Sequence, residues 1–348
     1  MDAPRFSRPA GNQMKIKLYI IVTVDTESSD SPWAIKRTDL LSSMVYGQIH
    51  NTYWGFPKIM EICDRFGFKA TFFVSVFEYK KYGEDSLSQV CVDVKQKGHD
   101  IQLHTHPIWL YGRRYMHDYP FPDQVKIIGL GKELLQKWVS ESPVAHRAGV
   151  YGVNENTLKA LKENSIPIDS SNFYGDKQCQ LMITKNKVVE KDEIIEVPVT
   201  VLKRNTCINL GLTRFGIRER YIKTDINWLS LDELLHFLAQ AKRHNLRVMT
   251  LFLHSYSLLQ FDASFTRFQP DYQTTAKLEE FLSIIAKDLE VKVITAKEFL
   301  DLYYHERGVF TDSSDFVPET RREITLAEVF RRGFGRLRIS KTKPGVEK

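Results

Sequence analysis

A chain of 348 residues with 43% hydrophobic and 26% charged side chains buries a sizeable core and is neither disordered nor fibrous. No apolar run reaches the ~20 residues that span a bilayer. The first residues also lack the basic start, apolar stretch and small-residue cleavage site of a secretory leader, so a cytoplasmic protein is expected. The net charge of +6 is concentrated in residues 321–348, where nine Lys or Arg face three Glu; the neutral remainder argues against a nucleic-acid partner.

The predicted elements alternate strand and helix. Residues 17–24 are a nearly continuous β-branched and apolar run, the pattern of a strand covered on both faces. Phe56, Ile59, Met60, Cys63 and Phe66 recur at helical spacing before a strand over 70–76. A second helix carries Leu87, Val90, Cys91 and Val94, and Gly98 ends it ahead of the strand Ile101–His104. Leu134, Leu135 and Trp138 mark another helix and residues 144–146 another strand. Asn154 caps the helix of Leu158 and Leu161, and 166–169 is a short strand.

Residues 176–226 break the rhythm around the apolar run 194–199. Ser230 then caps a helix holding Leu231, Leu234, Leu235, Phe237 and Leu238. The strand 247–254, a helix over 275–289, the strand 291–294 and a helix from Ala296 complete the series. Cys63, Cys91, Cys179 and Cys207 are scattered without a CxxC pair, so free thiols are expected.

Repeated βα units imply an α/β fold with parallel strands and right-handed crossovers. The reading is an N-terminal arm over 1–14, one catalytic domain over 15–305 and a basic C-terminal extension over 306–348. Polar residues gather at the predicted strand ends, where a βα barrel keeps its active site. Asp25 and Glu27, two apart after the first strand, can face one cleft as a base and a metal ligand. His104 and His106 can point to one side of an extended backbone and, with a carboxylate, supply the three protein ligands of a hydrolytic metal site. Arg147 needs a carboxylate if buried, and Asp25 is the obvious partner. His254 ends a very apolar strand and is suited to donate a proton near neutral pH. Each has a plainer reading as a strand-end or core residue; their coincidence carries the inference.

The segments Val24-Asp25-Thr26-Glu27, Lys69–Val74, Gly98–Pro107, His146–Gly152 and Leu253-His254-Ser255 together resemble the NodB-like polysaccharide deacetylases, carbohydrate esterase family four, and especially a divergent bacterial branch. The resemblance spans roughly residues 15–300. It implies a distorted (β/α)7 barrel of the polysaccharide deacetylase type, a divalent metal, usually zinc, and removal of an acetyl group from a sugar. Carried over, Asp25 is the base, Glu27 the carboxylate ligand, His104 the first ligand histidine, Arg147 the brace of the base and His254 the general acid. Two positions depart from the family. Thr26 stands where a second aspartate is usual, and Ile108 stands where the second ligand histidine falls, so His106 must substitute.

Trp33, Trp54, Trp109 and Tyr151 lie close in sequence to these motifs and are candidates to stack on a sugar ring. The expected partner is an acetylated sugar or glycan precursor in surface-polysaccharide or glycoconjugate biosynthesis. A hydrolase of another small amide or imide, and a carbohydrate-binding or scaffold protein with a degenerate metal site, are the alternatives. Residues 321–340 mix Arg with Ile, Leu, Val and Phe, a pattern for a basic amphipathic helix that meets a membrane surface or a protein partner; Gly333 and Gly335 weaken such a helix, and a flexible or self-docked extension is the equal alternative.

Overall fold

The computed structural model describes residues 15–31, 34, 36–209, 214–262 and 267–324. The central strands are β1 (Leu18–Thr26), β2 (Thr71–Ser75), β3 (Asp100–Thr105), β4 (Ala145–Ala148), β5 (Ile168–Asp169), β6 (Val189–Lys191) and β7 (Ile194–Glu196). A hairpin of β8 (Val201–Asn209) and β9 (Arg214–Lys223) follows, then β10 (Val248–His254), β11 (Val291–Val293) and β12 (Glu319–Ile324). The main sheet runs β10-β1-β2-β3-β4-β5-β7-β6, with β11 paired to the start of β1, and only the β6–β7 pair is antiparallel. This is the curled sheet of a distorted (β/α)7 barrel. The free edge of β10 is paired through a single parallel bridge, Asp225 with Phe252, and the Thr200 and Thr250 amides each donate to the other's hydroxyl, at 2.9 and 2.8 Å.

Strand alternation divides the apolar residues into two cores. Ile20, Val22, Val24, Phe72, Val74 and Leu103 face outward. They are covered by α1 (Phe56–Arg65), α2 (Glu84–Gln96), α3 (Phe121–Val139), α4 (Glu155–Glu163), α5 (Leu231–Arg243) and α6 (Tyr272–Lys287). Ile21, Phe73, Ala145, Ile168 and Val197 face inward and meet Phe299, Tyr303 and Phe310 of α7 (Ala296–Thr311), which plugs the barrel. Asn154 and Ser230 cap α4 and α5, each accepting the amide three residues on. Phe299, Tyr303 and Phe310 of α7 thus fill the barrel interior.

Cys63, Cys91 and Cys179 are free and buried, and Cys207 is free and half-buried. Among the described residues no helix is long and apolar enough to cross a membrane. Residues 321–324 are a correction to the helical expectation: they extend β12 alongside β8, where ladder hydrogen bonds replace helical ones. Residues 325–348 lie outside the described residues.

Candidate functional site

Asp25 is the last but one residue of β1, paired in register with His254 of β10. His104 pairs with Arg147 between β3 and β4, so parallel register alone brings four of the sequence-selected residues to one end of the sheet. Arg147 is fully buried. Its guanidinium donates to Asp25 Oδ1 at 2.7 Å, Thr23 Oγ1 at 3.1 Å, and the carbonyl and hydroxyl of Ser170, both at 3.0 Å. The rings of Phe73 and Phe252 lie 4.2 and 5.1 Å from it. Four of the five guanidinium N–H donors are thus engaged, and Asp25 is fixed by one oxygen while the other faces His104 Nε2 at 3.8 Å.

Glu27, His104 and His106 converge beside that oxygen. Glu27 Oε2 is 3.1 Å from His104 Nε2 and 2.6 Å from His106 Nε2, and the two imidazole nitrogens are 3.1 Å apart. His104 Nδ1 lies 2.7 Å from the Arg147 carbonyl, an acceptor only, so Nδ1 carries the ring hydrogen. In the neutral ring Nε2 then presents a lone pair to a carboxylate, and a cation, proton or metal, belongs between them. Burial opposes the charge on Glu27, but the two histidines outweigh it and hold the carboxyl well below its ordinary range. Burial works against protonation of His104, yet Asp25 and Glu27 raise its pKa overall.

These three are the one group of His, Cys, Asp or Glu placed to hold an ion among the described residues. Zinc bonds of ~2.0–2.2 Å hold tetrahedral ligand atoms about 3.3–3.6 Å apart, so a small outward relaxation fits the donor set. The outer contacts fit too: the Arg147 carbonyl orients His104, and His106 Nδ1, buried without a hydrogen bond, lies 3.8 Å from Asp30. Gly149 provides the room. A Cβ there would sit 2.6 Å from three atoms of the His106 ring. Val150 and Tyr151 follow at φ of 51° and 57°, costly for a β-branched residue and held only because the surroundings impose it.

His254 Nε2 is 3.8 Å from Glu27 Oε1, and its ring stacks on Tyr256. Burial, then the charge of Lys223, push its pKa down. Tyr151 lies in the same wall: its hydroxyl accepts from Lys223 Nζ at 3.0 Å. The described tryptophans of that set have contacts of their own. Trp54 contacts Thr52, Lys58 and Tyr272, Trp109 lies under Lys81 with its indole nitrogen unpartnered, and Trp33 is outside the described residues.

Several contributors carry no local sequence signal. Lys223 is buried, 3.2 Å from Asp225 and 3.2 Å from the centre of the Phe252 ring; it sits at the end of a strand whose polar faces hide it. Glu78 accepts twice from the Ser28 amide, at 3.0 and 3.1 Å, and burial followed by the Glu27 charge raises its pKa to about 8. Asp30 is clamped by Arg114 through two bonds of 2.8 Å. Ser255 donates to the Glu27 carbonyl at 2.8 Å. Of these, Ser255 alone adjoins a motif the sequence reading singles out.

No protein-family profile matches the chain, and no curated protein sequence matches it. Solved structures do. A putative polysaccharide deacetylase from Mycobacterium smegmatis aligns with a TM-score of 0.56 at 18% identity, covering 92% of this chain and 97% of that one. A probable polysaccharide deacetylase from Pseudomonas aeruginosa PAO1 gives 0.55 at 12% identity, covering 84% and 92%. An allantoinase gives 0.56 at 12% identity, covering 88% and 99%. At these identities the likeness is one of fold.

Proposed function

We propose that the protein is a divalent-metal-dependent hydrolase that removes an acetyl group from an N-acetylated sugar, with Glu27, His104 and His106 as the metal ligands and zinc as the metal. The observation that carries this reading is the convergence of those three donor atoms beside an aspartate braced by a buried arginine. The fold shared with polysaccharide deacetylases supports it. When bound, the metal supplies Lewis acidity, polarising the acyl carbonyl and acidifying water.

The chain's own groups do the rest. Asp25, one oxygen tied to Arg147 and the other free, takes a proton from the attacking water. His254, across Glu27 from the imidazole pair, gives a proton to the leaving nitrogen as the C–N bond breaks, so acetate and a free amine result. The Lys223 ammonium beside it makes the imidazolium a stronger acid. Tyr151 lines the wall on which the sugar rests.

Metal analysis of the purified protein, coupled to acetate release from N-acetylated sugars, tests the reading. Stoichiometric metal in the wild type, lost in His104→Ala and His106→Ala together with acetate release, is expected. A wild type that takes up no metal after zinc reconstitution would overturn it. Metal binding with opening of a small cyclic imide in place of acetate release would move the assignment to the amide and imide hydrolases. Sugar binding without turnover would mark a binding protein.

A further inference from the structure

The three-stranded sheet of β8, β9 and β12 has two differently charged faces. Lys203 contacts Glu219 at 3.1 Å and Glu319 at 3.3 Å, and Asn205 donates to Glu319, so the charges of that face are compensated. The other face follows from register. Arg204 lies opposite Arg220 and Thr320, and Thr206 opposite Arg218 and Arg322; directly paired residues share a face. Arg204 is neutralised, with Nε and Nη2 on the Glu233 carboxylate at 2.8 and 2.6 Å. Arg218, Arg220 and Arg322 are exposed, and among the described residues none has a carboxylate partner.

Like charges side by side on a sheet face destabilise it, so three uncompensated guanidiniums there need a reason. They line a groove of about 830 Å³ together with Lys177 and Trp228. Two acids border it and both are engaged: Asp176 accepts the Gln178 amide, and Glu219 is held by Lys203. The groove reaches the candidate catalytic wall. Trp228, half exposed, lies 4.9 Å from Lys223 Nζ, and Phe173 packs edge-on against Tyr151 at 5.0 Å. Lys223 and Tyr151 are hydrogen-bonded to each other, and Phe252 is 5.0 Å from His254.

We infer that this groove binds the diphosphate of the substrate, so that the molecule whose N-acetyl sugar enters the barrel mouth is a sugar diphosphate, linked to a nucleoside or to a lipid. The inference rests on the hydrolase reading above for its catalytic half. Guanidiniums pair with phosphate oxygens through two parallel hydrogen bonds, and three of them match two phosphates. Trp228 offers an aromatic face at the rim beside them.

The test uses inorganic pyrophosphate as the probe, by calorimetry on the full chain. Arg218→Gln, Arg220→Gln and Arg322→Gln combined should weaken pyrophosphate binding by about tenfold or more, a change of about 1.4 kcal/mol. Lys126→Gln with Lys159→Gln, exposed helical lysines, should leave it within about twofold, since remote charges are screened by salt. Acetate release then compares a nucleoside-diphosphate N-acetyl sugar, a short polyprenyl-diphosphate one and the free N-acetyl sugar. The triple variant should raise KM about tenfold for one or both diphosphates, identifying the carrier, and leave the free sugar unchanged. Wild-type protein that does not bind pyrophosphate, equal KM values in wild type and variant, or arginines that bind only anionic vesicles would each overturn the groove assignment. Pyrophosphate binding lost in the triple variant, without acetate release from any sugar, would retain the groove and overturn the deacetylase reading instead.

Discussion

Two clusters of buried imidazole and carboxylate occupy opposite faces of the same strands, and they differ in what their charges meet. Inside the barrel mouth, Asp25, Glu27, His104, His106 and Arg147 converge. Behind the sheet, His146 Nδ1 lies 2.9 Å from Asp169 Oδ1 and its Nε2 2.9 Å from Thr105 Oγ1. Ser171 also donates to Asp169, and the Asn172 amide donates to Glu196. His146 and Arg147 are neighbours in sequence, as are His104 and Thr105; alternation sends one of each pair inward and the other out. Glu27 is surrounded by imidazoles and has its pKa pulled down. At Glu196 burial and then the charge of Asp169 outweigh the Asn172 amide, and its pKa is pushed well up. Residue type alone therefore does not mark a chemical site. Three converging ligand atoms beside a braced carboxylate, as at Glu27, His104 and His106, are the stronger mark.

The largest contrast should come from changing one member of each cluster. Asp25→Asn is expected to cut kcat by about 10²- to 10⁴-fold, the range for a lost general base, while the protein keeps its metal. His146→Ala should instead cost about 2–3 kcal/mol of stability, because Asp169 loses a buried partner and a cavity opens. Its kcat per folded molecule should stay within a few-fold. Denaturant midpoints and turnover, measured on both variants, decide; an inactive but fully stable His146→Ala would erase the distinction drawn here.

Gly149→Ala sharpens the inner side. The new methyl must displace the His106 ring, since three ring atoms lie 2.6 Å from its position. Zinc affinity should fall about 10- to 100-fold, the scale of a misoriented ligand, as measured by competition with a chromogenic chelator. Unchanged affinity would mean that His106 is not a ligand.

The barrel was legible because its strands are buried on both faces and read as apolar runs, with caps such as Asn154 and Ser230 between them. Asp25, Glu27, His104, His106, Arg147 and His254 were legible as a set because each ends or directly follows such a run. The hairpin of β8 and β9 was not. Lys203 and Asn205 face one way and Arg204 and Thr206 the other, so no period-two apolar signal exists. With it went Lys223 and the arginine groove. Glu78 and Asp30 were illegible for another reason: their roles arise from contacts with Ser28 and Arg114, distant in sequence, and no spacing rule reports those. Nearness in sequence to a motif is a weaker guide: the contacts of Trp54 are with Thr52, Lys58 and Tyr272.

The smallest effect separates the two buried glutamates by pH. Glu196 keeps its proton in the folded protein above the ordinary 4.5, because burial and then the Asp169 charge disfavour its anion. Below about pH 4.5 folded and unfolded states are both protonated at this group, and it contributes no pH dependence. Above that, the unfolded chain releases the proton and the native state does not, so stability falls as pH rises, by about 1.4 kcal/mol per unit until the folded pKa is reached. Glu27, whose pKa is lowered in the fold, acts with the opposite sign: its contribution is present above about 4.5 and is lost as pH falls. Glu196→Gln keeps the acceptor for the Asn172 amide and a donor toward Asp169 but cannot ionise. The variant should therefore gain stability relative to wild type between pH 5 and 7, read as a growing difference in urea midpoints. A constant difference across that range would mean that the Asp169–Glu196 pair holds no proton.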